Sequence, residues 1–408
     1  MAFRFLHAAD LHLGSPFSGL ALKDAGIADR FAGASREAFT ALVNRAIAED
    51  VAFVLIAGDV FDGEWRDLSI GLFFARELAR LTRAGIRVFL VKGNHDAESV
   101  VTKRLTLPDG VHVFPAARAE SITLEDCNTV IHGRSFPERA VTENFALTYP
   151  APVPGRFNIG LLHTSLDGRE GHATYAPCTV ADLAGRGYDY WALGHIHKRE
   201  VVNREPWIVF PGNLQGRSVR ETGPRGASLV TVSDDRVSAV EALVFDAARW
   251  EVATLDIAGL DRMTDLIDRL EGALEPAISA ADGRLLALRL RLIGTAPVAR
   301  AALGAHATLA GEAQAAADRL AENVWLERLV LDIHEPRTRM DGAPDGLDPA
   351  ALMAGLEQDG ELRAALARDL GELLARAPGL PGDLAPSEAD LDSVLETARA
   401  LILERAAR

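Results

Sequence analysis

Short apolar runs, each followed closely by aspartate, asparagine or histidine, recur through the first half of the sequence. Runs of this length bounded by polar and glycine residues are typical of buried strands. The stretches 36–50 and 68–85, between the first three runs, have the apolar spacing of helices. Alternating strands and helices predict a layered α/β fold with a parallel portion. The runs are "FRFLHAA" (3–9), "FVLIAG" (53–58), "RVFLVKG" (87–93), "FNIGLLH" (157–163), "YDYWALG" (188–194) and "WIVFPG" (207–212).

Metal-ligand residue types follow directly after these runs. Because ligands bind at the carboxyl ends of strands in open α/β sheets, we expect these side chains to meet at one edge. Aspartate, asparagine and histidine together favour Mn, Fe or Zn over Mg or Ca. The set is too large for one ion and fits two ions that share an aspartate. The proposed metal ligands are Asp10, His12, Asp59, Asn94, His163, His195 and His197.

The combined pattern "DLH…GDVFD…GNHD…H…GHIH" resembles that of the calcineurin-like metallophosphoesterase superfamily, over residues 5 to about 240. Within that superfamily, "HAADLHLG", "IAGDVFD" and "FPGNLQGR" are similar to the SbcD/YhaO-type DNA repair exonucleases. The resemblance implies a layered metallophosphoesterase β-sandwich flanked by helices. It also implies a two-metal hydrolase, with Mn²⁺ favoured and Fe or Zn as alternatives.

The resemblance also assigns roles to individual residues. It implies that one ion is held by Asp10, His12, Asp59 and His197, and the other by Asp59, Asn94, His163 and His195. His95 matches the family's catalytic histidine, which would donate a proton to the leaving oxygen. Asp62 occupies a loop position where related nucleases can have a histidine, and either Asp62 or Asp96 could orient His95.

Basic residues follow the last two proposed metal ligands. Arginine binds phosphate through its bidentate fork, so these residues could contact a DNA backbone. The alternative interpretation is a solvated loop, and the resemblance favours DNA. The proposed DNA contacts are Lys198, Arg199, Arg217, Arg220 and Arg225.

The net charge of −15 requires any DNA binding to be local. Residues 241–408 hold 30 acids and 17 bases, a net of −13. The first hypothesis is therefore a two-metal DNA nuclease, an exonuclease of DNA repair, with a local basic groove. The alternatives are a phosphodiesterase or phosphatase acting on a small nucleotide or phosphoprotein, and a non-catalytic scaffold subunit of an ATPase complex.

Three segments are predicted along the chain. Residues 1–245 form the metallophosphoesterase catalytic domain, 246–338 a small α/β capping domain, and 339–408 a helical acidic tail. Within the second segment, the apolar spacing over 260–274 predicts a helix with Leu266, Ile267, Leu270 and Leu274 on one face. An apolar helical stripe that includes Leu391 and Leu395 could pack on its own chain or dock on a partner. The resemblance implies an SMC-like coiled-coil ATPase as that partner, and a homodimer is also possible. The sequence has no segment typical of a membrane span or signal peptide, so we expect a cytoplasmic protein.

Overall fold

The computed structural model describes residues 2–15, 25–62, 68–98, 105–168, 175–336, 355, 359–376 and 386–406. The chain divides into two compact units, Met1–Trp250 and Glu251–Arg408. The finer division into three segments, with the last as a separate tail, stays a prediction.

The first unit contains two six-stranded sheets. The first sheet has the strand order β12-β11-β1-β2-β3-β4. Strands β1 to β4 pair in parallel, whereas β11 pairs with both neighbours in antiparallel fashion. In chain order, its strands are β1 (Ala2–Ala8), β2 (Phe53–Ala57), β3 (Arg87–Val91), β4 (Val111–Val113), β11 (Gly226–Ser233) and β12 (Arg236–Val244).

The second sheet has the order β5-β6-β7-β8-β10-β9. Its inner strands pair in parallel, and the two edge strands are antiparallel to their neighbours. Its strands are β5 (Glu120–Leu124), β6 (Thr129–Gly133), β7 (Phe157–His163), β8 (Tyr190–Gly194), β9 (Glu200–Arg204) and β10 (Trp207–Phe210).

An aromatic core lies between the two sheets. The rings of Phe5 and Phe53 stack with centroids 4.9 Å apart, and the edge of Tyr190 meets Phe5 at 5.3 Å. All three side chains are fully buried. The central strands β2, β7 and β8 are buried on both faces, which explains why the sequence shows continuous apolar runs there instead of alternation.

Helices cover the outer faces of this sandwich. α1 (Ala25–Ala48) and α2 (Leu68–Arg83) pack on the first sheet, where Phe39, Leu78 and Val54 share a buried cluster. The short helices α3 (Asn94–Glu98) and α4 (Val180–Gly185) follow β3 and precede β8. The predicted layered α/β sandwich is thus confirmed.

The second unit contains a three-stranded sheet in the order β13-β14-β15. Its strands are β13 (Ala248–Asp256), β14 (Leu285–Thr295) and β15 (Val324–His334). β14 and β15 run parallel, with helices between them along the chain. Those helices are α7 (Ala299–Gly304) and α8 (His306–Leu320), whereas α5 (Met263–Asp268) and α6 (Leu270–Ala280) lie between β13 and β14.

Two further helices occupy the described part of the C-terminal region, α9 (Gly360–Arg376) and α10 (Glu388–Ala406). Ser387 and Asp390 exchange hydrogen bonds of 2.8 Å and 3.3 Å at the start of α10, which is a capping box. Within the predicted tail 339–408, residues 339–354, 356–358, 377–385 and 407–408 lie outside the described residues. No helix in the described ranges has the length and apolar content needed to cross a membrane.

Candidate metal centre

The loops after β1 and β2 lie side by side. The backbone N–H of Asp10 donates to Gly58 O, and that of His12 donates to Asp59 O, both at 3.0 Å. Asp10, His12 and Asp59 have positive φ angles of 51°, 42° and 53°. Such backbone strain in non-glycine residues is concentrated at functional sites, where the surrounding structure enforces it.

Two glycines allow neighbouring strand ends to approach closely. A Cβ on Gly93 would lie 2.2 Å from Asp59 Oδ1, and one on Gly194 would lie 1.9 Å from Ala57 O. Both distances are too short for non-bonded atoms, so a side chain at either position would displace a strand end. The ends of β2, β3 and β8 can therefore converge only because these positions lack side chains.

The first side-chain cluster joins Asp10, His12 and His197. The Nε2 atoms of His12 and His197 lie 3.2 Å apart. His197 Nε2 is 3.9 Å from Asp10 Oδ1, and Asp10 accepts the backbone N–H of His195 at 3.0 Å. Residues 185 or more positions apart in sequence thus form one ligand set.

The second cluster joins Asp59, His163 and His195, with Asn94 beside them. His163 Nε2 lies 3.0 Å from Asn94 Oδ1 and 3.5 Å from Asp59 Oδ2. Asp59 Oδ2 is also 3.9 Å from His12 Nε2 in the first cluster. Asp59 therefore lies between the two clusters, where the resemblance places the shared ligand.

The donor chemistry of both clusters fits metal ions. His163 Nδ1 lies 2.8 Å from Ala57 O, so it carries the proton and Nε2 presents a lone pair. That lone pair faces the Asp59 carboxylate and the Asn94 carbonyl. An imidazole nitrogen, a carboxylate oxygen and an amide oxygen that converge in this way form a donor set that suits a divalent cation.

The buried carboxylates support the same conclusion. Burial raises the pKa of Asp10 well above its usual range, and the neighbouring Asp59 adds to the effect. Burial likewise raises the pKa of Asp59. Since ionised carboxylates are costly to bury, bound divalent cations would stabilise both in the charged form.

His95 lies at the solvent-facing side of the site. Its side chain is 28% exposed, and its Nδ1 atom is 3.1 Å from Asp62 Oδ1. Its backbone N–H donates to Asp59 Oδ1 at 3.0 Å. Burial alone would lower the pKa of His95, but the hydrogen bond with Asp62 and the charge of Asp59 raise it above the ordinary value.

Asp62, which contacts His95, is itself held by two further side chains. Ser15 Oγ donates to Asp62 Oδ2 at 2.7 Å, and Arg217 Nη1 lies 3.8 Å away. Burial would raise the pKa of Asp62, but its contacts with His12 and His95 lower that pKa well below the usual range. Of the two acids considered as partners for His95, Asp62 makes the contact.

Asp96 instead holds the loops together. Its carboxylate accepts the backbone N–H groups of Val60, Phe61 and Gly93 at 3.0 to 3.1 Å. Burial and the charge of Asp59 raise the pKa of Asp96 to about 7. Asp96 therefore ties the loop after β2 to the end of β3.

A basic cleft of about 890 Å³ opens beside His197. All five proposed DNA contacts line it, but their surroundings differ. The guanidinium of Arg225 donates to His197 O and Thr222 O, and that of Arg199 reaches Val240 O. Lys198 and Arg220 are exposed. The first pair therefore holds the cleft walls, whereas the second pair faces solvent.

Glu221 and Ser15 belong to this site but are not among the sequence-predicted residues. Glu221 Oε1 is 2.7 Å from His197 Nδ1. Glu221 is 24 positions beyond His197, in a loop with no periodic pattern, so spacing gives no signal for the contact. Ser15 follows the "DLHLG" motif, and its hydroxyl is placed by the backbone hydrogen bond from its own N–H to His12 O at 3.1 Å.

Comparison with known proteins gives the family. A family model described as calcineurin-like phosphoesterase matches residues 3–199, and one described as metallophosphoesterase YhaO, middle domain, matches residues 250–334. The uncharacterized metallophosphoesterase YhaO of Bacillus subtilis (strain 168) is 38% identical over 297 residues, covering 72% of each chain. The chain belongs to the YhaO-type metallophosphoesterases. Members of the calcineurin-like superfamily are phosphoester hydrolases that use divalent metal ions, and the two clusters supply fitting ligands.

More distant relatives also match. The DNA double-strand break repair protein Mre11 of Sulfurisphaera tokodaii is 24% identical over 276 residues, covering 63% of this chain and 66% of that protein. A dimetal phosphatase from Danio rerio aligns over 59% of this chain and 97% of its own, with 12% identity and a TM-score of 0.37. The assignment to the YhaO-type metallophosphoesterases rests on the sequence comparisons.

Proposed function

We propose that this YhaO-type metallophosphoesterase is a two-metal DNA nuclease, an exonuclease acting in DNA repair. The observation that carries the proposal is the basic cleft beside His197, which continues from the metal clusters. A nuclease must hold the backbone on both sides of the scissile phosphate, whereas a small phosphoester needs only the metal centre. The Mre11 relatives support the same substrate class.

Each proposed catalytic residue has a defined task. Two bound divalent ions would clamp the phosphoryl oxygens and lower the pKa of a water nucleophile. His95 Nδ1 contacts Asp62, so Nε2 is the atom left to donate a proton to the leaving oxygen. Asp62 fixes the orientation of the ring and favours its protonated form. Arg217, 23% exposed at the rim, would bind a non-bridging phosphate oxygen.

Mn²⁺ is the proposed metal. The described clusters offer imidazole nitrogen together with carboxylate oxygen, and the nearby Asn94 adds an amide oxygen. Mixed nitrogen and oxygen donors suit Mn, Fe and Zn better than Mg or Ca. Restoring activity to chelator-treated protein with each metal in turn would identify the one that supports turnover.

The substrate is tested by parallel assays with Mn²⁺. One assay uses duplex DNA labelled at either the 5′ or the 3′ end, and the other uses the chromogenic diester bis-p-nitrophenyl phosphate. We expect stepwise shortening of the DNA, abolished by EDTA and by His95→Ala. Hydrolysis of the diester without any cleavage of DNA would instead favour a small nucleotide substrate.

A further inference from the structure

The carboxylate of Glu221 gathers polar groups from three parts of the cleft wall. Oε1 lies 2.7 Å from His197 Nδ1 and 3.3 Å from Arg217 Nη2. Oε2 accepts the backbone N–H of Arg217 at 2.7 Å and the side-chain amide of Asn213 at 2.8 Å. The side chain is only 12% exposed, so these contacts are partly shielded from water.

These contacts determine which nitrogen of His197 faces the metal cluster. Glu221 Oε1 can only accept and lies nearer to His197 Nδ1, at 2.7 Å, than the donor Arg217 Nη2, at 3.2 Å, so the proton of neutral His197 is held on Nδ1, facing Glu221. Nε2 is then left with its lone pair directed toward His12 and Asp10. A carboxylate behind a ligating imidazole fixes both its tautomer and its ring orientation, and it increases the basicity of the ligand nitrogen.

We propose that Glu221 is a positioning residue that sets the affinity of the ion that Asp10, His12, Asp59 and His197 would hold. It also holds Arg217 against the same cluster, between His197 and Asp62. The inference rests on the two-metal site proposed above. The second ion, held by Asp59, Asn94, His163 and His195, does not depend on Glu221, since His163 takes its tautomer from Ala57 O.

A purely structural role is the competing explanation, because Glu221 closes the loop 213–221. Gln215 anchors the same loop without touching His197. Its Oε1 accepts the backbone N–H groups of Ala247 and Ala248 at 2.9 and 3.1 Å, and its Nε2 donates to Gly216 O at 2.9 Å. Gln215→Ala is therefore the matched control, which loosens the loop but leaves the His197 contact in place.

The experiment measures bound Mn²⁺ directly, apart from activity. Wild type, Glu221→Ala, Glu221→Gln and Gln215→Ala are loaded with Mn²⁺, and affinity at each site is measured by titration calorimetry. We expect one site of Glu221→Ala to weaken about 10- to 100-fold while the other is unchanged. Glu221→Gln should weaken the same site by about 10-fold, because it keeps an acceptor but loses the charge. Gln215→Ala should bind both ions as wild type does.

Several outcomes would overturn the inference. The inference fails if Glu221→Ala binds Mn²⁺ at both sites with wild-type affinity. It also fails if Gln215→Ala loses as much Mn²⁺ affinity as Glu221→Ala does. If Glu221→Ala does not fold, Glu221→Gln decides: a wild-type affinity at both sites rejects the positioning role. If the wild type itself binds fewer than two ions, the two-metal proposal fails, which is a different result.

Discussion

At the scale of single residues, Asp59 is the position on which both clusters depend. Its Oδ2 atom lies 3.5 Å from His163 Nε2 and 3.9 Å from His12 Nε2. We expect Asp59→Ala to lose both ions, whereas Asp10→Ala should lose only the ion that Asp10 helps to hold. Elemental analysis of the purified variants, with circular dichroism to confirm folding, makes the comparison. Unchanged metal content in Asp59→Ala would show that Asp59 is not a ligand shared by the two ions.

His95 is expected to act on the substrate and to leave the metals bound. Its side chain contacts Asp62 and the edge of the His12 ring, and its backbone N–H donates to Asp59. His95→Ala should retain both ions and lose about 10²- to 10⁴-fold in turnover, the usual contribution of a general acid. Asp62→Asn should reduce turnover less, since the ring keeps a hydrogen-bonding neighbour. Near-normal hydrolysis of bis-p-nitrophenyl phosphate by His95→Ala would contradict the proposed catalytic role of His95.

At the scale of elements, the convergence of strand ends depends on glycine. A Cβ at Gly93 would lie 2.2 Å from Asp59 Oδ1 and 2.8 Å from Asp59 N. Gly93→Ala should therefore displace Asp59 and lower metal content, although β3 itself can still form. Gly185→Ala, at the end of α4, meets no atom within 4 Å and serves as the control. Equal metal content in the two variants would show that the loop after β2 can shift to accommodate the added Cβ without losing metal.

The strands that carry the site are predictable because they are buried on both faces. The apolar runs predict β1, β2, β3, β7, β8 and β10 within a few residues, since burial on both faces leaves an unbroken apolar signal. β4, β5 and β6 are missed because "VHV", "ESITL" and "TVIHG" are short or mix polar with apolar residues. β9 is missed as well; β4, β5 and β9 are edge strands that are only partly buried, whereas β6 is fully buried but its apolar run is interrupted by Thr129 and His132.

Tertiary contacts account for the other differences. The helical spacing over 260–274 predicts one helix, but the structure has α5 and α6 separated at Arg269. Leu266, Leu270 and Leu274 are nevertheless buried in one cluster, as the stripe predicts. The apolar periodicity predicts which face of a helix is buried. It does not predict an interruption of the helix that leaves the same residues on the buried face. The Glu221–His197 contact is likewise invisible to spacing, because it joins separate loops.

The stripe on α10 is buried in part. Leu391 is 4% exposed, whereas Val394 is 36% exposed. Glu396 pairs with His334 at the end of β15, and Asp392 pairs with Arg363 on α9. These contacts favour packing of α10 on its own unit, and docking on an ATPase partner stays a prediction.

At the scale of the whole molecule, the charge distribution limits where DNA can bind. Residues 241–408 carry a net charge of −13 of the total −15, so that region repels a polyanion. The exposed cations of the cleft, Lys198 and Arg220, lie instead beside the metal cluster in the first unit. Bound divalent ions would add positive charge at the same place. Attraction is therefore expected to be confined to one face of the first unit.

This confinement predicts how binding responds to salt. Each phosphate neutralised by a cation contributes about 0.9 to the slope of log K against log salt concentration. Lys198→Ala and Arg220→Ala should each reduce the slope by about 1, and the double variant by about 2, measured by fluorescence anisotropy on duplex DNA with metal present. Arg262→Ala removes the same charge from the second unit, where Arg262 is 71% exposed, and should leave the slope unchanged. If the slope changes equally in all three single variants, net charge and not the cleft governs DNA binding. If the protein does not bind duplex DNA even at low salt, a small substrate is favoured instead.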